Sequence, residues 1–235
     1  MQGEKQCAFS SEHRVRANHI HLHRKSKLIP MNTKETFISL LKSTNRQGVD
    51  GCIEELENLG FFTAPASTAF HLNTEGGLVE HSLNVCKVAL KIRESMMELD
   101  ATLENKLPED SVIIVALLHD ICKADIYKKT IKRQRTASGQ WIDAEVYEVD
   151  YSNNPLGHGE KSVIMALQSG LKLTKDEILA IRWHMHAWEL PFQSYEAKSC
   201  LSKAKDLTPL VTLLQTADGL ASFLLEERNS ERQRL

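Results

Sequence analysis

The chain has 235 residues, 42% of them hydrophobic and 26% charged, with a formal charge of -2. That balance suits one soluble domain with at most a small appendage, and it excludes the global basic field of a dedicated nucleic-acid binder. No apolar run approaches the ~18 residues needed to cross a bilayer. The five cysteines follow no CxxC pattern or regular spacing, which reads as reduced thiols in a cytoplasmic protein.

Residues 1–30 differ from the remainder. They carry Arg14, Arg16, Arg24, Lys25 and Lys27 against Glu4 and Glu12, show no sustained periodicity and lack the apolar core of a signal peptide. His13, His19, His21 and His23 could share a cation, but the stretch reads better as a disordered or non-native extension, because Met31-Asn32-Thr33 makes a natural beginning. From there to residue 228 the chain reads as one helical domain, with a lead-in over 31–60 and a core over 61–225.

In the lead-in, Phe37, Leu40 and Leu41 repeat at helical spacing after a Thr33/Thr36 start. A second helix runs from Asp50 to Leu59 with Gly60 as its stop. An apolar loop, Phe61 to Ser67, leads through Phe70-His71 and the Gly76-Gly77 turn to a long helix, Leu78 to Leu99. Pro108, Glu109 and Asp110 then precede seven apolar residues, Val112 to Leu118. Asp110 and Ser111 are N-cap types, and a segment apolar on every side is a buried one. Beyond Lys123 the period changes: Tyr127–Thr136 and Gln140–Val149 read as a hairpin, about 127–149, inserted into an otherwise helical protein. Helices return at Glu160–Gln168, at Asp176–His186 behind a Thr174/Glu177 capping box, at Tyr195–Lys205 and at Pro209–Glu226. The expected class is mainly α with one β-hairpin.

Several polar residues fall where this pattern predicts burial. The apolar run ends on His119-Asp120, which delivers an imidazole and a carboxylate into the interior. His81 sits one turn into the long helix, His158 at a helix start, His184 near a helix end and Asp218 inside an apolar helix. A lone histidine on an apolar face is usually a hydrogen-bonded core residue. The set is different, because a buried aspartate is almost always paired or bound to a metal, and one shared cation satisfies all of these groups together. Imidazole and carboxylate without thiolate suit iron, manganese, cobalt, nickel or zinc in a reactive rather than a structural site.

Glu80-His81-Ser82, Leu117–Lys123 (LLHDICK) and Gln215–Ser222 (QTADGLAS) resemble the H…HD…D signature of the HD superfamily of metal-dependent phosphohydrolases. The resemblance runs roughly from Phe61 to Leu225, and the GGLVEHS context and the lysine three positions after the aspartate add to it. Gly157–Ser162 and Ala180–Met185 are similar to the subgroup that adds two histidines and holds two metals. Cys122 departs from the pattern, standing where many relatives have glycine. The resemblance implies an HD-type helical bundle in which His81, His119, Asp120 and Asp218 hold one divalent ion. Asp120 would bridge to a second, completed by His158 and His184. His186 would point about 200° around the helix from His184, which favours His184 as the ligand.

Such a pair of ions activates water and clamps the oxygens of an in-line displacement at phosphorus. Asp120 and Lys123 are the candidate catalytic residues, Lys123 because it lies one turn beyond the pair. Lys161, Ser162 and Arg182 are candidate substrate contacts, since free N–H groups at a helix start welcome anions. The basic strand Lys128–Arg135, with Trp141 and Tyr147 opposite, suggests a nucleotide-like phosphate ester as substrate. A short single-stranded nucleic acid is a second candidate partner, and no membrane partner is expected. Glu145 and Glu148 could equally neutralise that strand. Two alternatives stay open: a di-iron oxygenase with the same six ligands, separable by iron content and oxygen uptake, and a nucleotide-binding sensor, separable by absence of turnover.

Overall fold

Helix α1 (Thr33–Ser43) starts from Asn32, whose side chain accepts from Glu35 N–H at 2.9 Å while Glu35 Oε2 accepts from Asn32 N–H at 3.2 Å. The reciprocal capping box lies one residue before the expected threonine start. The computed structural model describes residues 32–136, 139–186 and 194–226. The histidine-rich stretch before Met31 and the expected boundary at residue 228 lie outside them.

The elements follow the expected order: α2 (Val49–Asn58), α3 (Gly77–Leu99), a 3-10 turn (Ala101–Asn105), α4 (Glu109–Leu118), α5 (Lys123–Ile126), β1 (Tyr127–Arg135), β2 (Trp141–Val149), α6 (His158–Gln168), α7 (Lys175–Trp183), α8 (Tyr195–Leu207) and α9 (Pro209–Leu220). A π-helical turn, Ala221–Leu225, continues α9. The protein is mainly α with one antiparallel hairpin, paired from Tyr127↔Val149 to Arg135↔Trp141. None of the described helices is long and apolar enough to cross a membrane. Cys52, Cys86, Cys122 and Cys200 are free thiols.

Helix α4 is the centre of the core. Every residue from Ser111 to Leu118 is buried, and α3, α7, α9 and α1 pack around it, as a helix apolar on all faces requires. Phe37, Phe61 and Phe62 lock α1 to the loop before α3, with ring centroids 5.1–5.6 Å apart. Two expectations need correction here. Pro108, not Asp110 or Ser111, caps α4, so both polar residues fall inside the first turn. They are used laterally. Ser111 Oγ donates to Glu177 Oε1 at 2.7 Å, and Asp110 pairs with Arg46 at 2.7 Å. The second correction concerns α7, which stops at Trp183; His186 takes φ +54, so it does not share a helix with His184.

Glu177 carries more than its capping box. Its side chain is fully buried, and Arg46 reaches both oxygens at 2.7 and 2.8 Å, a bidentate clamp that ties the α1–α2 loop to α7 and α4. Removing one partner of a buried pair strands the other charge. Arg46→Ala is therefore expected to cost about 3–5 kcal/mol, read as a lower urea midpoint at unchanged slope.

Candidate metal centre

Six helices, α3 to α7 and α9, deliver polar side chains to one point. Helix α4 ends at His119, and the following turn carries Asp120 and Cys122 into Lys123 at the start of α5. His81 comes from the second turn of α3, His158 from the first residue of α6, His184 from the residue capping α7 and Asp218 from the last turn of α9. Close backbone approach makes this convergence possible. A Cβ on Gly159 would lie 2.3 Å from Arg182 O, so only glycine lets the start of α6 press against the end of α7. The His158 and His184 rings consequently sit 5.5 Å apart, centroid to centroid. Gly77 does the same at the start of α3, where a Cβ would fall 2.0 Å from Leu72 O.

Asp120 is the hub. Its Oδ2 faces His81 Nε2 and His119 Nε2, each at 3.4 Å, and Lys123 Nζ at 2.5 Å. Its Oδ1 faces the other way, to His158 Nε2 at 2.5 Å and His184 Nε2 at 3.3 Å. Asp218 Oδ1 lies 3.4 Å from His81 Nε2 and accepts from Ser222 Oγ at 3.2 Å.

The donor set fits a cation. Nδ1 of His119 donates to Ala116 O at 2.9 Å, and Nδ1 of His184 donates to Ile181 O at 2.7 Å. Nδ1 of His81 donates to Glu226 Oε1 at 2.9 Å. Carbonyls and carboxylates only accept, so each neutral ring turns an Nε2 lone pair inward. Nε2 of His81 and of His119 stand 3.2 Å apart, and Nε2 of His184 is buried without a hydrogen bond. Facing lone pairs need something positive between them. Two groups, His81–His119–Asp218 and His119–Asp120–His184, bring their ligand atoms within 4.8 Å of one another and could each hold an ion. His158 stands beside the second, hydrogen-bonded to Asp120.

Without a cation, protons take its place on part of the cluster. Burial would lower His81, yet its bonds to Asp120 and Glu226 hold it up at about 9. Burial likewise opposes charge on His158, but Cys122 and Asp120 raise it well above the usual range, while burial wins at His119 and lowers it. Burial would raise Asp120 and Asp218, but Lys123, His119 and His158 hold Asp120 well below the carboxylate range, and His119 and His81 hold Asp218 down.

Three expected contacts lie elsewhere. Lys161 borders a second cavity beside His158, but its Nζ pairs with Asp125 and donates to Asn153 O at 2.6 Å. The Ser162 hydroxyl accepts from Cys122 N–H at 3.3 Å. Arg182 pairs with Glu160 at 2.7 Å and lies over the Trp183 ring. On the hairpin, Lys129 meets Glu145 at 2.6 Å and Lys132 meets Glu148, so cross-strand pairing neutralises part of its basic arm.

Sequence reasoning missed Glu226 and His71. Glu226 follows the π-helical turn, a device common near functional sites. Its carboxylate is buried against His81, Asn84 Nδ2 at 3.2 Å and His71 Nε2 at 3.8 Å. Nothing in the sequence separates it from a solvated glutamate at a helix end. His71 stacks obliquely on His81 with centroids 5.1 Å apart; burial, with Lys123 and His81 nearby, lowers it to about 4.

With this geometry in view, comparison with known proteins gives the class. The HD domain model matches residues 78–222, well over half of the chain, and the chain belongs to the HD domain family. The dihydroneopterin 2',3'-cyclic phosphate phosphodiesterase of Methanocaldococcus jannaschii is 45% identical over 60 residues, 26% of this chain and 23% of that protein. The chain thus spans about a quarter of the length of the curated relative it matches. No solved structure matches at a significant level.

A carboxylate on the outer nitrogen of a ligating histidine fixes its tautomer and raises its basicity. Glu226→Ala is accordingly expected to weaken divalent metal binding about 10–100-fold, measured by chelator competition, with helix content unchanged by circular dichroism.

Proposed function

We propose that the protein is a metal-dependent phosphohydrolase whose centre holds two divalent ions. The observation that carries the reading is the division of Asp120, one oxygen toward His81 and His119 and the other toward His158 and His184. In this reading His81, His119, Asp120 and Asp218 hold one ion, and Asp120, His158 and His184 hold the other, the pattern of the HD subgroup with two added histidines. The ions supply Lewis-acid polarisation of a phosphoryl oxygen and acidification of water.

The chain's own residues do the rest. Lys123 is buried yet charged, since burial alone would lower it and Asp120 raises it above the ordinary lysine range. It borders the same cavity as Asp120, His184 and Asp218, within reach of a phosphoryl oxygen arriving there. Glu226, Ala116 O and Ile181 O fix three imidazole tautomers, so the ligand lone pairs are oriented before substrate arrives. The named activity of the archaeal relative supports a small phosphodiester, a cyclic one among the candidates, and a nucleotide-like ester remains the broader substrate class.

Two measurements test the reading. Wild-type protein loaded with Mn²⁺, Co²⁺ or Fe²⁺ is expected to release product from a panel of nucleotides, cyclic phosphodiesters and short oligonucleotides without consuming oxygen; failure across the panel would sink it. His184→Ala is expected to lose metal, while His186→Ala retains the wild-type metal content, both by elemental analysis. Equal losses would remove His184 from the ligand set.

A further inference from the structure

The second half of α3 carries two stripes that play no part in the metal centre. Val88, Ile92, Met96 and Leu99 recur at helical spacing, within about 80° of the helix circumference. Beside them run Lys87, Lys91, Glu94 and Glu98, all exposed and confined to an arc of about 60°. Next to the apolar stripe lies a groove of about 430 Å³, bordered on its other side by Leu220 and by Leu225 of the π-helical turn. Met96 is 40% exposed, Leu225 54% and Leu99 80%. An apolar strip of this kind edged by charges has the make-up of a protein contact, the strip excluding water and the charges choosing the partner.

The order of the charges says which partner fits. Along the helix two lysines come first and two glutamates follow. Two copies of α3 laid antiparallel, with a twofold axis passing between Ile92 and Arg93, set Lys87 against Glu98 of the second copy and Lys91 against Glu94 of the second copy. A parallel pair would set each charge against its own kind. The same axis is perpendicular to both helices, so it keeps the apolar stripes together on one side of the contact and the charged stripes together on the other. The pattern is self-complementary, as an isologous interface requires. Exposed ion pairs are individually weak. They fix register and orientation here, while covering the apolar groove supplies the affinity.

We propose that the second half of α3 and the π-helical turn form a twofold interface whose partner is a second copy of this chain, its α3 antiparallel to the first. The interface is independent of the reaction at the metal centre.

Sedimentation equilibrium of the full chain over a concentration series tests it. The wild-type mass is expected to climb from 26.6 kDa toward twice that value. Met96→Glu, which places a charge in the groove, is expected to weaken association at least about tenfold, with helix content and metal content unchanged. Met96 is preferred to Leu225 because the latter precedes Glu226, the partner of His81. Lys91 already meets Glu94 within the chain at 2.6 Å, so Lys87 and Glu98 are the positions that report the contact. Lys87→Glu and Glu98→Lys, each alone, leave like charges at both symmetric contacts and are expected to self-associate about tenfold more weakly at low salt. Mixed in equal amounts, the two variants regain opposite charges at both contacts and are expected to associate as tightly as the wild type. That recovery requires the two positions to meet across the axis. A wild type that stays at 26.6 kDa, a folded Met96→Glu that dimerises unchanged, or a mixture no tighter than either variant alone would overturn the proposal. Should Met96→Glu fail to fold, the mixing experiment, which changes only exposed residues, decides it.

Discussion

A single buried carboxylate sets the terms for the interior of this protein. Asp120 is held at the end of a helix that is apolar on every side, in a place where an uncompensated charge would cost several kcal/mol. Four imidazoles and one ammonium surround it. The same burial that makes the carboxylate expensive makes its attraction for cations strong, because little water intervenes to screen it. The helices that converge on it are arranged so that their ends, not their faces, meet at this point.

That arrangement depends on what lies behind it. A helix end can approach a charged group closely only if the helix is fixed along its length. For α4 the fixing is hydrophobic, through the buried run Val112–Leu118. For α7 it is ionic, through Glu177 and Arg46, at the opposite end of the helix from His184. For α6 it is steric, through the glycine that lets Gly159 lie against the Arg182 carbonyl. Three different kinds of contact thus position His119, His184 and His158, and a fourth, the Glu226 bond, orients His81.

The parts legible in the sequence were those with a local signature. The hairpin announced itself by a change of period, α7 by its capping box and α4 by an apolar run that ends on His119-Asp120. The six candidate ligands were readable because a polar residue inside an apolar pattern demands an explanation wherever it sits. What escaped was long-range pairing between residues that look solvated one at a time. Lys161 reads as a helix-start cation suited to a phosphate, but Asp125 on α5 lies within reach and takes it. Glu177 reads as a cap, and its second partner is 131 residues away. Glu226 looks like any acidic residue after a helix until the π-helical turn bends it back to a histidine 145 residues earlier.

The buried carboxylates also show how a reactive site differs from a structural one in the same fold. Glu177 receives both nitrogens of a guanidinium, a serine hydroxyl at 2.7 Å and the Thr174 N–H at 2.7 Å. Asp125 is met by Lys161 and Asn153. In both, donors meet acceptors, and the charges close on one another. Around Asp120, three of the four imidazoles, His81, His119 and His184, have inner nitrogens that are themselves acceptors once the outer ones are bound, so acceptor faces acceptor at 3.2 Å between His81 and His119. Protons on His81 and His158 and the charge on Lys123 relieve part of that conflict. A divalent ion would relieve it more completely, releasing those protons as it bound. The local excess of acceptors over donors, rather than burial or charge alone, marks this cluster as the place where the protein takes up something it does not itself supply.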